Sequence, residues 1–231
     1  MSKPFQIAID GPVAAGKGTV SRLVAQRLGF LYVDTGAMYR VTAYLAVQNS
    51  TAFADEDALV ELIKACKLIM RNPTDDERDG RLTTVILDGE DVSWKIRTEE
   101  VSAGSSKVAV LPKVRAVLVH KQQDIAQTTD VVMEGRDITY RVLPDAQLKI
   151  YLTAGDVVRA KRRHVQLQTR GEDISFQEVY RELLIRDTQD SQRDTDPLKI
   201  VPEAWVIDSS DLAIEQVIDM IVERASILRN T

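Results

Sequence analysis

A chain of 231 residues, 44% hydrophobic and 28% charged, has the balance of an ordinary globular protein and the length of one large domain or two small ones, enough to bury a substantial core. Its net charge of −5 argues against broad nucleic-acid binding, which wants a basic face, so an anionic ligand must be held by local clusters of arginine. Cys66, the only cysteine, excludes an internal disulfide and suits a reducing cytoplasm; no apolar run approaches the ~20 residues of a membrane span, and a strand begins too early to leave room for a secretory signal.

Residues 5–10 read as a buried strand that runs into Gly11-Pro12-Val13-Ala14-Ala15-Gly16-Lys17-Gly18-Thr19 and then into an amphipathic helix over 19–28. Strand, glycine-rich turn and helix together make a phosphate cradle. Gly11 and Gly16 let the main chain curl so that successive N–H groups face the oxygens of a polyphosphate, and Lys17 adds a point charge for the β- and γ-phosphates. The spacing G-x-x-x-x-G-K is met, but Gly18 fills the next slot. The hydroxyl falls one place later, at Thr19, from where it can reach a phosphate or an accompanying Mg²⁺. An ordinary glycine turn is the bland alternative; the flanking strand and helix favour binding of a nucleoside triphosphate.

A second strand is expected over 30–34 and a helix over 37–48. Residues 55–107 then break the alternation. They read as a helix over 57–70, a polar loop over 72–80, and a strand pair over 82–92 that turns at Asp88-Gly89, a small α+β insertion. The alternation resumes with a helix over 112–127, opened by Pro112, and strands over 131–134 and 148–153. Helices over 156–168 and 176–190, a strand over 205–208 and a last helix over 212–228, capped by Ser210 or Asp211, complete the chain. Such alternation predicts an α/β fold with a parallel sheet between helices, and ligands bound beyond the carboxyl ends of its strands.

Four clusters fall at that edge. Thr35 can donate to a phosphate or cap a helix, with Arg40 about one turn on; a cap and a solvated arginine are the plain alternative. Glu134-Gly135-Arg136-Asp137 ends a buried strand, where a carboxylate can serve a Mg²⁺ shell and Arg136 can clamp an anion, or the pair can be a surface turn. Arg159, Arg162 and Arg163, with Arg170 beyond them, form either a solvated helix face or a lid that folds over a nucleotide. Arg186, Asp190 and Arg193 share one helix face, as a salt-bridge ladder or as contacts to ribose and phosphate. His120 and His164 have no second ligand at metal spacing. Four arginine-bearing clusters exceed what one triphosphate requires and suggest transfer to a second phosphorylated ligand. Neither an N-K-x-D motif nor a D-x-x-G switch after a strand supports a GTPase.

These residues resemble the bacterial cytidylate (CMP) kinases, members of the nucleoside monophosphate kinases, over essentially the whole chain. The stretch 11–19 is similar to their phosphate loop, where Gly-Thr follows the lysine, and Asp34-Thr35-Gly36-Ala37-Met38-Tyr39-Arg40 resembles their Asp-Ser/Thr-Gly-x-x-Tyr-Arg motif. Glu90 to Ser93, Ile96 to Thr98, Val108 to Arg115, Gly135 to Asp137, Pro144 to Ala146 and Asp208 to Ser210 follow in the family order. The chain departs from the family at Glu134, where aspartate is usual, and at Thr139-Tyr140-Arg141, where Gly-Thr-Val is usual.

The resemblance implies a P-loop kinase fold with a central five-stranded parallel sheet flanked by helices, an α+β insertion in the nucleoside-monophosphate (NMP) region and a short helical lid. It implies one domain, with a core over 1–35, 108–155 and 187–231, an NMP region over 36–107 and a lid over 156–186. ATP would lie on residues 11–19, Arg159 and Arg162. Arg40, Arg136 and Arg193 would hold the CMP phosphate and Arg186 and Asp190 the ribose, with Thr35 and Glu134 also in the substrate site. Ser106, Arg115 and Asp137 would read cytosine. Lys17, Arg136 and Arg193 would be catalytic, and Mg²⁺ would be bound mainly through ATP, with Thr19 as the protein ligand. The implied reaction is γ-phosphoryl transfer from ATP to CMP, and to dCMP, by a cytoplasmic monomer without nucleic-acid or membrane partners. The alternatives are another acceptor, such as UMP, AMP or a small metabolite, and a nucleotide-binding protein without turnover.

Overall fold

Short apolar runs bounded by polar residues call for a sheet covered on both faces. In the computed structural model, which describes residues 3–77, 79–169 and 171–230, strands β1 (Gln6–Asp10), β2 (Leu31–Asp34), β6 (Val131–Gly135), β7 (Leu148–Thr153) and β8 (Trp205–Asp208) form a parallel sheet in the order β2-β6-β1-β7-β8. Ile7 and Ile9 of β1, Tyr32 of β2 and Val132 of β6 point into one core layer, with Val20, Val24, Ile218 and Ile221 from helices α1 (Lys17–Leu28) and α8 (Ile214–Arg229). Ala8, Val33, Val131 and Met133 point the other way, toward α2 (Thr35–Gln48), α3 (Glu56–Ala65) and α5 (Pro112–Thr128). Burial on both faces of β1 and β6 is why these two central strands read as nearly continuous apolar runs. The chain leaves β1 toward β2 on one side and reaches β7 on the other, so the strand order reverses beside β1. The phosphate loop follows β1, at the place where such sheets bind ligands.

Between α2 and α5 stands the insertion. It holds α3, a three-stranded sheet of β3 (Leu68–Arg71), β4 (Thr84–Leu87) and β5 (Glu90–Asp91), and α4 (Glu99–Val108). The hairpin turns at Asp88 and Gly89, with φ of 51° and 90°, the left-handed pair that a two-residue turn demands. The helix expected over 57–70 stops at Ala65. Cys66 is extended, and Leu68–Arg71 pairs antiparallel with Thr84–Leu87 instead. Leu68 and Met70 fit either a helical or a strand period, and the partner strand decides between them. Helix α4 was not anticipated; Thr98 caps it, accepting from Val101 N. The last helix begins at Ile214 rather than 212, and neither Ser210 nor Asp211 caps it. Gln216 Oε1 accepts the Ala213 N–H at 2.8 Å, while Ser210 Oγ accepts from Gly155 N and donates to Asp208. Helices α6 (Asp156–Thr169) and α7 (Phe176–Gln192) pack against each other beyond β7. Among the described residues no helix is long and apolar enough to cross a membrane.

One side chain joins the insertion to the edge of the central sheet. Asn72 Oδ1 accepts from Tyr32 N at 2.9 Å, and Asn72 Nδ2 donates to Phe30 O at 2.8 Å, so the amide pairs with β2 as a neighbouring strand would. Asn72→Ala leaves both edge groups without these partners. Chemical denaturation should then show a loss of about 1–2 kcal/mol; an unchanged midpoint would mean that solvent replaces the amide in full.

Candidate active site

The loop after β1 is shaped by one close approach and two left-handed residues. A β-carbon at Gly11, where φ is 155°, would lie 2.0 Å from the Leu152 carbonyl of β7, so only glycine fits. Ala14 and Gly16 take φ of 58° and 87°, and no side chain caps α1 at Gly16. The first N–H groups of α1 are therefore directed at a ligand. Lys17 is buried, and its Nζ donates to Pro12 O at 2.7 Å across the loop. Burial, helped by the nearby Arg136 charge, lowers this ammonium to about 7. At Gly18 a β-carbon would sit 3.0 Å from Glu134 Oε1 and 3.2 Å from Leu82 of the insertion. That crowding accounts for a glycine in this slot and a hydroxyl one residue later, at Thr19, which lines the cavity.

Beyond β2, the helix cap is Asp34, whose Oδ1 accepts from Ala37 N. Thr35, expected as a cap or a phosphate donor, instead donates to Glu134 O at 2.7 Å and braces β6 against α2. Asp34 Oδ2 lies 3.3 Å from Arg40 and 3.5 Å from Arg97. Burial would raise this carboxyl, but the two guanidinium groups hold it below the ordinary range. Glu134 follows the reverse course: burial and the Asp34 charge push it up, against Lys17 and the Tyr32 hydroxyl, which donates to Oε1 at 2.5 Å. The glutamate is thus seated by a tyrosine. Arg136 Nε donates to Asp190 Oδ2 at 2.6 Å, which joins α7 to the end of β6.

Asp10, fully buried at the end of β1, accepts from Ile138 N, Thr139 N and Thr139 Oγ1 at 2.6–2.9 Å, although burial pushes its carboxyl up to about 6. The Thr139-Tyr140-Arg141 departure therefore supplies a further bond to β1, and the chain makes a single π-helical turn over Ile138–Val142. Just before it, Asp137 Oδ2 takes Arg115 Nη2 at 2.5 Å, and Asp137 Oδ1 lies 3.6 Å from Arg193 Nη2. Arg115 is almost fully buried, with Nη1 on Ala109 O and Nε on Asp196 Oδ2. Ser106 is exposed on α4 and lines the same space.

On the lid side the two expected arginines separate. Arg162 lines the cavity and bonds Ser209 through both Nη atoms. Arg159 is buried behind it, donating to Ala154 O and Val13 O and lying 2.7 Å from Asp187, so it holds the phosphate loop from the rear. Arg170 lies outside the described residues.

These groups converge on one cavity of about 1140 Å³. Ten lysines and arginines line it, against the carboxylates of Asp34, Glu134, Asp137 and Asp190. Its walls are strongly cationic in a chain of net charge −5. No group of three His, Cys, Asp or Glu among the described residues could hold a metal alone. The donor set fits Mg²⁺ brought in with a polyphosphate, which Thr19 or a carboxylate such as Glu134 would help to hold. Three contributors were not read as site residues: Asp10, Tyr32 and Leu82. An arginine just after the Glu90–Ser93 motif was the available signal for a fourth, Arg97.

The geometry agrees with what this chain resembles. The cytidylate kinase family matches it over residues 7–226. A cytidylate kinase of Geobacillus sp. (strain WCH70) is 44% identical over 223 residues, spanning 96% of this chain and 97% of that protein. Those of Caldicellulosiruptor bescii and Caldanaerobacter subterraneus subsp. tengcongensis are 42% and 43% identical, covering 96% and 98% of this chain and 95% and 96% of theirs. The chain belongs to the cytidylate kinase family.

Proposed function

We propose that the protein transfers the γ-phosphoryl group of Mg²⁺-ATP to CMP, and also to dCMP, giving CDP or dCDP and ADP. The observation that carries this reading is a single cavity with two anion sites: the phosphate loop with Lys17 on one wall, and Arg40, Arg136, Arg186 and Arg193 facing it. Next to the second site lies the buried Arg115–Asp137 pair. Cytosine presents an exocyclic amine that wants a carboxylate oxygen, and N3 and O2 that want a guanidinium. Uracil presents an acceptor where Asp137 needs a donor, a mismatch of about 1–3 kcal/mol.

ATP would lie on residues 11–19 with Arg162 over it, while Arg40, Arg136 and Arg193 would hold the acceptor phosphate beside Glu134, which Thr35 braces from β6. Asp190 and Arg186 would meet the ribose, and Ser106, Arg115 and Asp137 the base. Mg²⁺, when bound with ATP, supplies charge neutralisation at the β- and γ-oxygens. The acceptor oxygen attacks in line, and Lys17, Arg136 and Arg193 stabilise the charge spread over the moving phosphoryl group. Residues 156–186 would act as the lid and 36–107 as the NMP region, closing on a core of 1–35, 108–155 and 187–231 and excluding water. The lone cysteine fits a reducing cytoplasm, and the net charge of −5 disfavours nucleic-acid partners.

The direct test is ADP production from Mg²⁺-ATP with CMP, dCMP, UMP, AMP and GMP offered separately beside a no-acceptor control. CMP should stimulate most, with kcat/KM about 10- to 100-fold above UMP. Preference for another monophosphate would discard the base assignment, and ATP binding without stimulation by any acceptor would leave a binding protein.

Two further outcomes concern Lys17. Lys17→Ala should lower kcat by about two orders of magnitude or more with an unchanged thermal melt; near wild-type turnover would remove Lys17 from the chemistry. Polyphosphate also stabilises the ammonium form, so ATP binding raises the Lys17 pKa from about 7 and takes up a proton. Calorimetry at pH 8 in buffers of different ionisation enthalpy should show net proton uptake, absent in Lys17→Ala, with ATP affinity falling as pH rises above 7. Buffer-independent heats would contradict this.

A further inference from the structure

Behind the cavity wall, Asp196 connects the arginine assigned to the base with one assigned to the phosphate. It lies in the linker between α7 and β8 and does not line the cavity. Its φ is 49°, a left-handed conformation that Asp and Asn tolerate better than other residues with a β-carbon. Its Oδ2 accepts from Arg115 Nε at 2.9 Å, and its backbone carbonyl accepts from Arg193 Nε at 2.7 Å and from Arg193 Nη2. Oδ1 sits 3.7 Å from Arg141 Nε. The next carbonyl, Pro197 O, accepts from the Tyr140 hydroxyl at 2.6 Å, and Lys199 Nζ stands 4.0 Å from the centre of that ring. Two of the four residues that depart from the family pattern, Tyr140 and Arg141, thus hold this linker in place.

These bonds determine what remains for Asp137. Arg115 occupies Oδ2, whereas Arg193, turned toward the residue 196 carbonyl, stays 3.6 Å from Oδ1. Oδ1 is therefore the oxygen that can accept from a base. We propose that Asp196 is a positioning residue that sets base selectivity: by holding Arg115 and Arg193 from behind, it keeps Asp137 Oδ1 open to the exocyclic amine of a cytosine. This rests on the CMP reading above. Without the Asp196 charge, Arg115 keeps Asp137 as its neighbouring carboxylate and is drawn further onto it, toward Oδ1, while Arg193 stays on the residue 196 carbonyl. A base edge with a donor then loses its acceptor, and one with an acceptor, as in uracil, meets N–H groups instead.

The test is steady-state kinetics of wild type, Asp196→Asn and Tyr140→Phe with CMP and with UMP at saturating Mg²⁺-ATP, with thermal melts and the KM for ATP measured alongside. Asparagine keeps the left-handed backbone, the size and the carbonyl, and removes only the charge. The CMP-to-UMP ratio of kcat/KM should fall about tenfold in Asp196→Asn, through the KM for CMP, with the ATP KM and the melt close to wild type. Tyr140→Phe should shift the ratio in the same direction by about two- to threefold. An unchanged ratio in Asp196→Asn, or a loss shared equally by CMP, UMP and ATP, overturns the proposal. If Asp196→Asn does not fold, a wild-type ratio in Tyr140→Phe overturns it. Wild-type protein that does not use CMP overturns the acceptor reading itself, a result distinct from one that uses CMP with a ratio indifferent to residue 196.

Discussion

Positive charge that must stay available is the constraint on which this structure depends. Ten cationic side chains share one cleft with four carboxylates, in a chain that is acidic as a whole. Left alone, such groups repel one another and lose hydration. Burial lowers the Lys17 ammonium to about 7, with Arg136 adding to the effect. The protein holds them on fixed partners: Arg162 on Ser209, Arg193 on the residue 196 carbonyl, Arg40 and Arg97 beside Asp34, and Arg136 on Asp190, while Arg159 behind the wall braces the loop through the Val13 and Ala154 carbonyls. Carbonyl oxygens fix direction without cancelling charge. An entering polyphosphate then finds donors already aimed, which is the electrostatic preorganisation that phosphoryl transfer needs.

Topology makes this convergence possible. Phosphate loop, α2 motif and acidic turn follow β1, β2 and β6, neighbours in one parallel sheet, so all emerge at the same edge. Asp10 links two of them, since it ends β1 and takes the N–H groups of the turn after β6. Leu82 brings the insertion against Gly18, and Asn72 fastens its base to β2. The segment that carries part of the acceptor site is thereby in contact with the loop that would carry the donor.

Strands β1 and β6 were legible because burial on both faces leaves apolar runs, β7 and β8 as short apolar stretches between polar residues, and the phosphate loop because its glycines answer to backbone geometry. The insertion was less so. Residues 68–71 satisfy both helical and strand spacing, and only the antiparallel partner at Thr84–Leu87 settles them. Side-chain roles that depend on distant partners were the least readable. Thr35 looked like a phosphate donor but braces β6; Arg159 looked like a lid contact but supports the loop from behind. Asp196 carried no motif, and its place between Arg115 and Arg193 exists only once α5 and the α7–β8 linker meet. Glu134 and Thr139 were departures whose fit could not be judged until Tyr32 and Asp10 were seen to receive them.

The central claim is that one cavity holds two phosphate ligands at once. The most direct measurement is equilibrium titration with adenosine and cytidine joined through a five-phosphate chain, in competition with ATP and with CMP separately. The account predicts that this single molecule displaces both nucleotides and binds at least about a hundredfold more tightly than either alone, as linked ligands do when their sites face each other. Displacement of ATP alone, with CMP still bound, would contradict it.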